Sequence, residues 1–266
     1  MRVETLSDHA GGQLQKAEAA LQEHHRRVAA HQAAVKDLRT RHVASRRWWQ
    51  IGKRLAQRQE LRQLQFGGPV LDERLVHRRA QQQAGVTAES HMTSALLQLS
   101  DDWLLFCGYT NRKGEVDRLL VGPGGVWAIE VKGRGVRVHV QGDRWTFEKF
   151  DRYGNLVGSG VLADAGGRSW GRQVSEVAAA LGEFLRSRGV RVPIRTTVAV
   201  INGRASLGTF DSAGIDMLSI GPEYLLQRIR SEPPALSPEQ CAEIARLVRR
   251  DHAFHSRSRD RQHRRR

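Results

Sequence analysis

The sequence predicts an α/β protein in which a mixed central sheet is flanked by helices and preceded by an N-terminal helical extension. Three observations lead there. Residues 13 to 66 contain no proline and are rich in Ala, Gln, Arg, Leu and Glu, the side chains that lose least on entering a helix. From about residue 86, segments of helical periodicity alternate with short apolar strands. Among these strands, a Gly/Pro turn joins two β-rich runs, which is the pattern of a hairpin. A chain of 266 residues has room for one full domain plus an extension, or for two small domains.

The extension is assigned to residues 1 to 80. Leu14, Leu21, Val28 and Val35 fall seven apart, and Ala17, His24, His31 and Leu38 supply the second seam position. Two histidines make a poor coiled-coil seam. The expectation is therefore one or two helices packed on the domain or on a second copy, as a homo-oligomer, with Gly67-Gly68-Pro69 as the break. Trp48 and Trp49 stand among Arg46, Arg47, Lys53 and Arg54; the pattern suits a packing anchor with a solvated flank, a base-stacking pair or contact with anionic lipid.

Met92, Ala95, Leu96 and Leu99 mark one face of the first domain helix. Strands are expected at 103 to 107, 116 to 121, 126 to 132, 136 to 140 and 144 to 148. A helix opened by Ser169 carries Trp170, Val174, Val177, Ala178, Leu181 and Leu185 on one stripe, and a strand follows from Ile194 to Ile201. Ser237-Pro238-Glu239-Gln240 is a capping box with proline at the first helical position, so a C-terminal helix is placed within 231 to 252. The remainder, 253 to 266, is basic with almost nothing apolar to bury, and is expected to be a disordered tail with solvent-facing histidines, as are His24 and His25. Helix, antiparallel strands, helix and strand in this order describe layers around a mixed sheet.

Charge is unevenly placed. The net value is +15; residues 1 to 80 carry 16 basic and 8 acidic side chains, 81 to 250 carry 21 and 18, and 251 to 266 carry 6 and 2. The middle is nearly neutral and the ends are basic, which favours polyanionic partners through counterion release, or simply solubility. No run approaches the roughly 18 apolar residues of a membrane span. The first twenty residues lack the apolar stretch of a secretory signal, and Cys107 and Cys241 are too few for a disulfide framework, so a cytoplasmic setting is expected.

The chemistry concentrates in Gly114-Glu115-Val116-Asp117-Arg118-Leu119-Leu120-Val121, the turn Gly122-Pro123-Gly124-Gly125, and Val126-Trp127-Ala128-Ile129-Glu130-Val131-Lys132. A symmetric turn makes paired positions sum to 247, so Val121 faces Val126, Asp117 faces Glu130 and Glu115 faces Lys132. Directly opposed Cβ atoms stand roughly 4.5 to 5.5 Å apart, close enough for two carboxylates to reach one cation. Alternation puts Ala128, Glu130 and Lys132 on one face and Trp127, Ile129 and Val131 on the other. Acids in such apolar strands are costly to bury alone, and a divalent cation removes that cost; oxygen-only ligands suit Mg²⁺ or Mn²⁺. Spacing alone equally allows a surface hairpin with ordinary cross-strand ion pairs. The glycine-rich turn lacks the lysine of a phosphate loop, the histidines show no HExxH spacing, and no serine sits in a nucleophile elbow.

The segment GEVDRLLVGPGGVWAIEVKGRG resembles the nuclease-related domain, NERD, whose core pattern is G-E-[IV]-D-x-[ILV]-[ILV]-[ILV]-G-P-x-G-[ILV]-x-x-[ILV]-E-[ILV]-K, a distant member of the PD-(D/E)XK nuclease superfamily. The likeness extends over about residues 84 to 202, and the domain is assigned to 84 to 230 with a restriction-endonuclease-like core. The resemblance implies Asp117 and Glu130 as metal ligands, Lys132 as the lysine of the E-x-K element, Glu89 as the acid of the first helix and Gln173 as the family's glutamine. In the lead into that helix, Gly85-Val86-Thr87-Ala88-Glu89, alanine replaces the family's second glycine. The implied function is Mg²⁺- or Mn²⁺-dependent hydrolysis of phosphodiester bonds in nucleic acid, DNA more than RNA, by metal-activated water. The alternative is a non-catalytic nucleic-acid-binding or assembly platform that retains the fold.

Overall fold

The computed structural model describes residues 1–44, 51–211 and 214–263, and the Trp48–Trp49 pair lies outside them. The chain divides into two compact units, Gly12–Gln83 and Met1–Gly11 with Ala84–Arg266. Residues 1–11 group with the unit that holds residues 84–266 and not with the helical stretch that follows them.

The extension unit is built from α1 (His9–Ala44), α2 (Ile51–Phe66) and the first part of α3 (Glu73–Leu96). The heptad seam is its less exposed stripe: Ala17 and Leu38 are buried and Leu14, Leu21, Val28 and Val35 are half-buried. The seam histidines serve the break between α2 and α3. His24 is not solvent-facing as expected; its Nε2 lies 2.9 Å from the Val70 carbonyl oxygen. The His31 ring fills the space where a Gly68 side chain would project, which explains a glycine there.

The domain unit contains a six-stranded sheet in the order β1-β2-β3-β4-β8-β10, with β1 (Arg2–Thr5), β2 (Leu104–Asn111), β3 (Gly114–Gly122), β4 (Gly125–Lys132), β8 (Ile194–Val200) and β10 (Met217–Ile220). β2, β3 and β4 are antiparallel neighbours, whereas β1 joins β2, and β8 joins β4 and β10, in parallel. A second sheet runs β7-β6-β5-β9, from β5 (Arg137–Gln141), β6 (Arg144–Phe150), β7 (Leu156–Val161) and β9 (Ser206–Asp211).

Alternating side chains give the large sheet two apolar faces. Phe106, Leu119, Val121, Ala128, Val198 and Val200 share a cluster with α4 (Trp170–Ser187) and α6 (Pro238–His263). Leu105, Leu120, Trp127, Ile129, Val131 and Ala199 pack with the end of α3 and with α5 (Glu223–Ser231). All six stripe residues of α4 are buried, and its Ser169 Oγ accepts from the Arg172 backbone N–H at 3.2 Å, as an N-cap should. The capping box of α6 closes in both directions: Gln240 N–H donates to Ser237 Oγ at 3.3 Å and Ser237 N–H to Gln240 Oε1 at 2.8 Å.

α6 continues to His263, so the disorder expected from residue 253 is corrected for the described part of the tail. Its middle is held to β2 by polar contacts. Tyr109 donates to Asp251 at 2.5 Å, and the Thr110 N–H donates to His252 Nδ1 at 3.1 Å. His255, expected to face solvent, stands 3.5 Å from Asp251.

Candidate active site

The β3–β4 hairpin has the register that the turn implied: Gly122 pairs with Gly125, Val121 with Val126, and the ladder runs on to Arg118 with Ile129. There it stops. Asp117 takes up the next backbone donor with its side chain, Oδ2 accepting the Val131 N–H at 2.7 Å. Glu115 is not opposite Lys132 in a ladder; its two oxygens accept from Ser7 Oγ at 2.9 Å and Thr110 Oγ1 at 3.2 Å.

The cause lies in the neighbouring strand. Regular alternation would keep Cys107 and Tyr109 on one face of β2. Instead Cys107 packs on the α3 side and Tyr109 on the α4/α6 side, and their partners Arg118 and Val116 divide in the same way. Gly108 sits between them with φ +74°, and a Cβ there would run into the Ser7 carbonyl oxygen. Asp117 occupies the corresponding position of β3, so the acid stands at a break in side-chain alternation shared by two strands. A lone glycine in an apolar strand is the sequence signal for such a break, and the strand expected at 103 to 107 ends just short of it.

Glu130 is the most deeply enclosed acid of the group, with its side chain 8% exposed. Its Oε1 accepts from Lys132 Nζ at 2.5 Å, while Oε2 is buried with no hydrogen-bond partner among the described residues. Burial, and then the charge of Asp117, push its carboxyl up to about 7 against the pull of Lys132. Burial works against the Lys132 ammonium, but Glu130, Asp117 and Glu89 together outweigh it and raise its pKa. Lys132 also lies 5.7 Å from the centre of the Trp170 ring and donates to Gln173 Oε1 at 3.4 Å. Gln173 is fixed in turn by its Nε2, which donates to the Arg168 carbonyl at 3.0 Å. Thus Asp117, Glu130, Lys132 and Gln173 come together. Trp170, assigned from the sequence only to the packing stripe, also walls Lys132.

Glu89 is placed differently. It is paired with Arg118 at 2.9 Å, and Arg118 further donates to Thr93 Oγ1 at 2.9 Å and to the Asp117 carbonyl at 2.7 Å. The sequence did not single out Arg118, whose position in an apolar strand was the available signal. Burial, followed by the charge of Asp117, raises the Glu89 carboxyl to about 7. Ala88, where the family pattern has glycine, is 2% exposed and fits because Gly133 faces it; a Cβ at Gly133 would stand 3.2 Å from that of Ala88.

Among the described residues no three acidic, histidine or cysteine side chains converge into a ready metal cage. The hairpin nevertheless fits a hard divalent cation, because a buried carboxylate oxygen lacks a partner and the donor set is oxygen only. Asp117 and Glu130 would hold it. Among the described residues, no helix is long and apolar enough to cross a membrane. No curated protein and no solved structure matches the chain. Residues 84–201 match the family model of the nuclease-related domain, and with the mixed α/β core and the E-x-K hairpin already in place, this part of the chain is a NERD domain, PD-(D/E)XK-like.

Proposed function

We propose that the domain hydrolyses phosphodiester bonds in DNA, with Mg²⁺ or Mn²⁺ held by Asp117 and Glu130. The observation that carries this reading is the buried, unpartnered Glu130 Oε2 beside the Asp117 position. A carboxylate oxygen left bare at that depth is costly unless a cation takes it. When bound, a divalent cation polarises the phosphoryl group and lowers the pKa of a coordinated water. Asp117 keeps one oxygen tied to the Val131 N–H, which fixes the carboxylate for coordination through the other. Lys132, steadied by Glu130, Gln173 and the Trp170 ring, holds its ammonium where charge develops on the phosphoryl oxygens. In the hydrolysis the water oxygen bonds to phosphorus, the ester P–O bond breaks, and the leaving oxygen ends protonated. The basic extension and tail supply affinity that does not depend on sequence.

The test is cleavage of supercoiled plasmid and labelled single-stranded DNA in Mg²⁺, Mn²⁺ or EDTA. Wild type is compared with Asp117→Asn, Glu130→Gln and Lys132→Ala, all purified identically. Metal-dependent nicking that disappears in all three supports the reading, and activity that survives in all three belongs to a contaminant. The Glu89–Arg118 pair favours a second reading, a nucleic-acid-binding platform without catalysis, because it commits the helix acid to a cation already in the chain. Under that reading wild type and the three variants bind DNA alike and none cleaves it. A homo-oligomer through the extension is the corresponding assembly proposal.

A further inference from the structure

Two connections cross side by side from the large sheet to the small one. Residues 133–136 lead from β4 to β5, and residues 201–205 lead from β8 to β9; both start at the ends of parallel neighbours. Asn202 joins them, its Nδ2 donating to the Gly133 carbonyl at 3.0 Å, and the Ile201 N–H donates to the Lys132 carbonyl at 2.8 Å. The first connection is closely packed. A Cβ at Gly133 would collide with the Ala84 carbonyl, and one at Gly135 would come within 2.7 Å of Asn202 Oδ1.

On this connection, two residues past Lys132, stands Arg134. Its guanidinium lies 4.5 Å from the centre of the Phe147 ring and is partly buried. It makes no ion pair or side-chain hydrogen bond among the described residues, whereas Arg118, Arg168 and Arg195 of the same unit each have a carboxylate. Burial lowers its pKa with no acid to offset the effect. A half-buried guanidinium that stacks on a ring but has no carboxylate, two residues past Lys132, is arranged for an anion that arrives from outside. Arg204, exposed on the adjoining connection, adds positive charge to the same place.

We infer that Arg134 binds a backbone phosphate of the nucleic acid next to the one presented to Glu130 and Lys132. The inference rests on the proposed nuclease reading for its substrate, but its test does not need cleavage. Binding of labelled oligothymidylate is measured by fluorescence anisotropy in EDTA, across KCl from about 50 to about 200 mM. Each phosphate contact with a single strand contributes about 0.7 to the slope of log affinity against log salt. Arg134→Gln is expected to lower that slope by about 0.7, with a melting temperature lowered by no more than about 2 °C, because the guanidinium gives up a ring contact but no ion pair or hydrogen bond. Arg134→Lys is expected to retain the slope. Arg188→Gln, at the α4 end leading into the start of β8, serves as the control and is expected to leave it unaltered.

An Arg134→Gln slope equal to wild type overturns the inference. So does a slope loss accompanied by a melting temperature several degrees lower, which would make Arg134 a packing residue on Phe147. The two readings fail separately. If wild type never nicks plasmid in Mn²⁺ yet Arg134→Gln loses one contact, catalysis falls and the phosphate contact stands. If wild type cleaves but the slope does not change, the reverse holds.

Discussion

Glu130 must lose a proton before it can hold a cation, and the structure sets the pH at which that happens. Burial first, and the Asp117 charge second, raise its carboxyl to about 7 from an ordinary 4.5. At pH 6 about nine-tenths of the metal-free protein then carries the proton, and at pH 8 about one-tenth does. The apparent Mn²⁺ affinity should therefore rise about tenfold between these values, about 1.4 kcal/mol, with close to one proton released per ion at the acid end. A glutamate of ordinary pKa would give almost no change over the same range. Lys132 contributes nothing here, since its raised pKa keeps it charged throughout. Titration calorimetry at pH 6, 7 and 8, in two buffers of different ionisation enthalpy, measures both affinity and proton count. Glu89→Gln removes one of the charges that raise Glu130, so it should move the whole profile towards lower pH. A pH-independent affinity with no proton release would refute both the burial argument and the assignment of Glu130 as a ligand.

The metal-free fold should show the same linkage. Glu89 and Glu130 bind protons more tightly folded than unfolded, so their contribution to stability is full below about pH 4.5 and is lost as pH rises through about 7. In EDTA the melting temperature is expected to be lower at pH 8 than at pH 6, with Mn²⁺ narrowing the gap by the Glu130 share; a gap that Mn²⁺ leaves unchanged would contradict that cause. Arg118→Met leaves the Glu89 carboxyl to take up a proton and removes the guanidinium's hydrogen bonds to Thr93 and the Asp117 carbonyl, so it should cost about 1–3 kcal/mol in urea unfolding, with Glu89→Gln in the same chain restoring part of it. A loss below about 1 kcal/mol would show that the pair is not a fastening. Gly108→Ala places a Cβ against Ser7 at a positive φ and should destabilise by about 1–3 kcal/mol or more, measured by denaturation.

How much of this was legible depends on whether the determining contact is near or far along the chain. The hairpin register followed from a four-residue turn, and the α4 stripe from its own period, because each is decided by neighbours in sequence. β1 was not seen: Arg-Val-Glu-Thr has no pattern of its own and becomes a strand by pairing in parallel with residues 104–107. β7 and β9 are mostly exposed and carry glycine, so neither shows the apolar alternation that marks a half-buried strand. Within the site, spacing brought Asp117 and Glu130 to the same place, but it assumed unbroken alternation. That assumption fails at Gly108, and the failure has consequences beyond geometry. A continuous ladder would satisfy the Val131 N–H with a backbone carbonyl and leave Asp117 as one more cross-strand side chain. Because the strands part there, the carboxylate does a carbonyl's task with one oxygen and keeps the other available, while Ser7 and Thr110 hold Glu115 away from Lys132. Ser7, two residues past the first strand, thereby helps determine which acid the lysine meets. Ser7→Ala tests this coupling: it should weaken Mn²⁺ binding measurably while Gly108 and the fold remain in place, and an unchanged affinity would show that the break in alternation holds Glu115 without it.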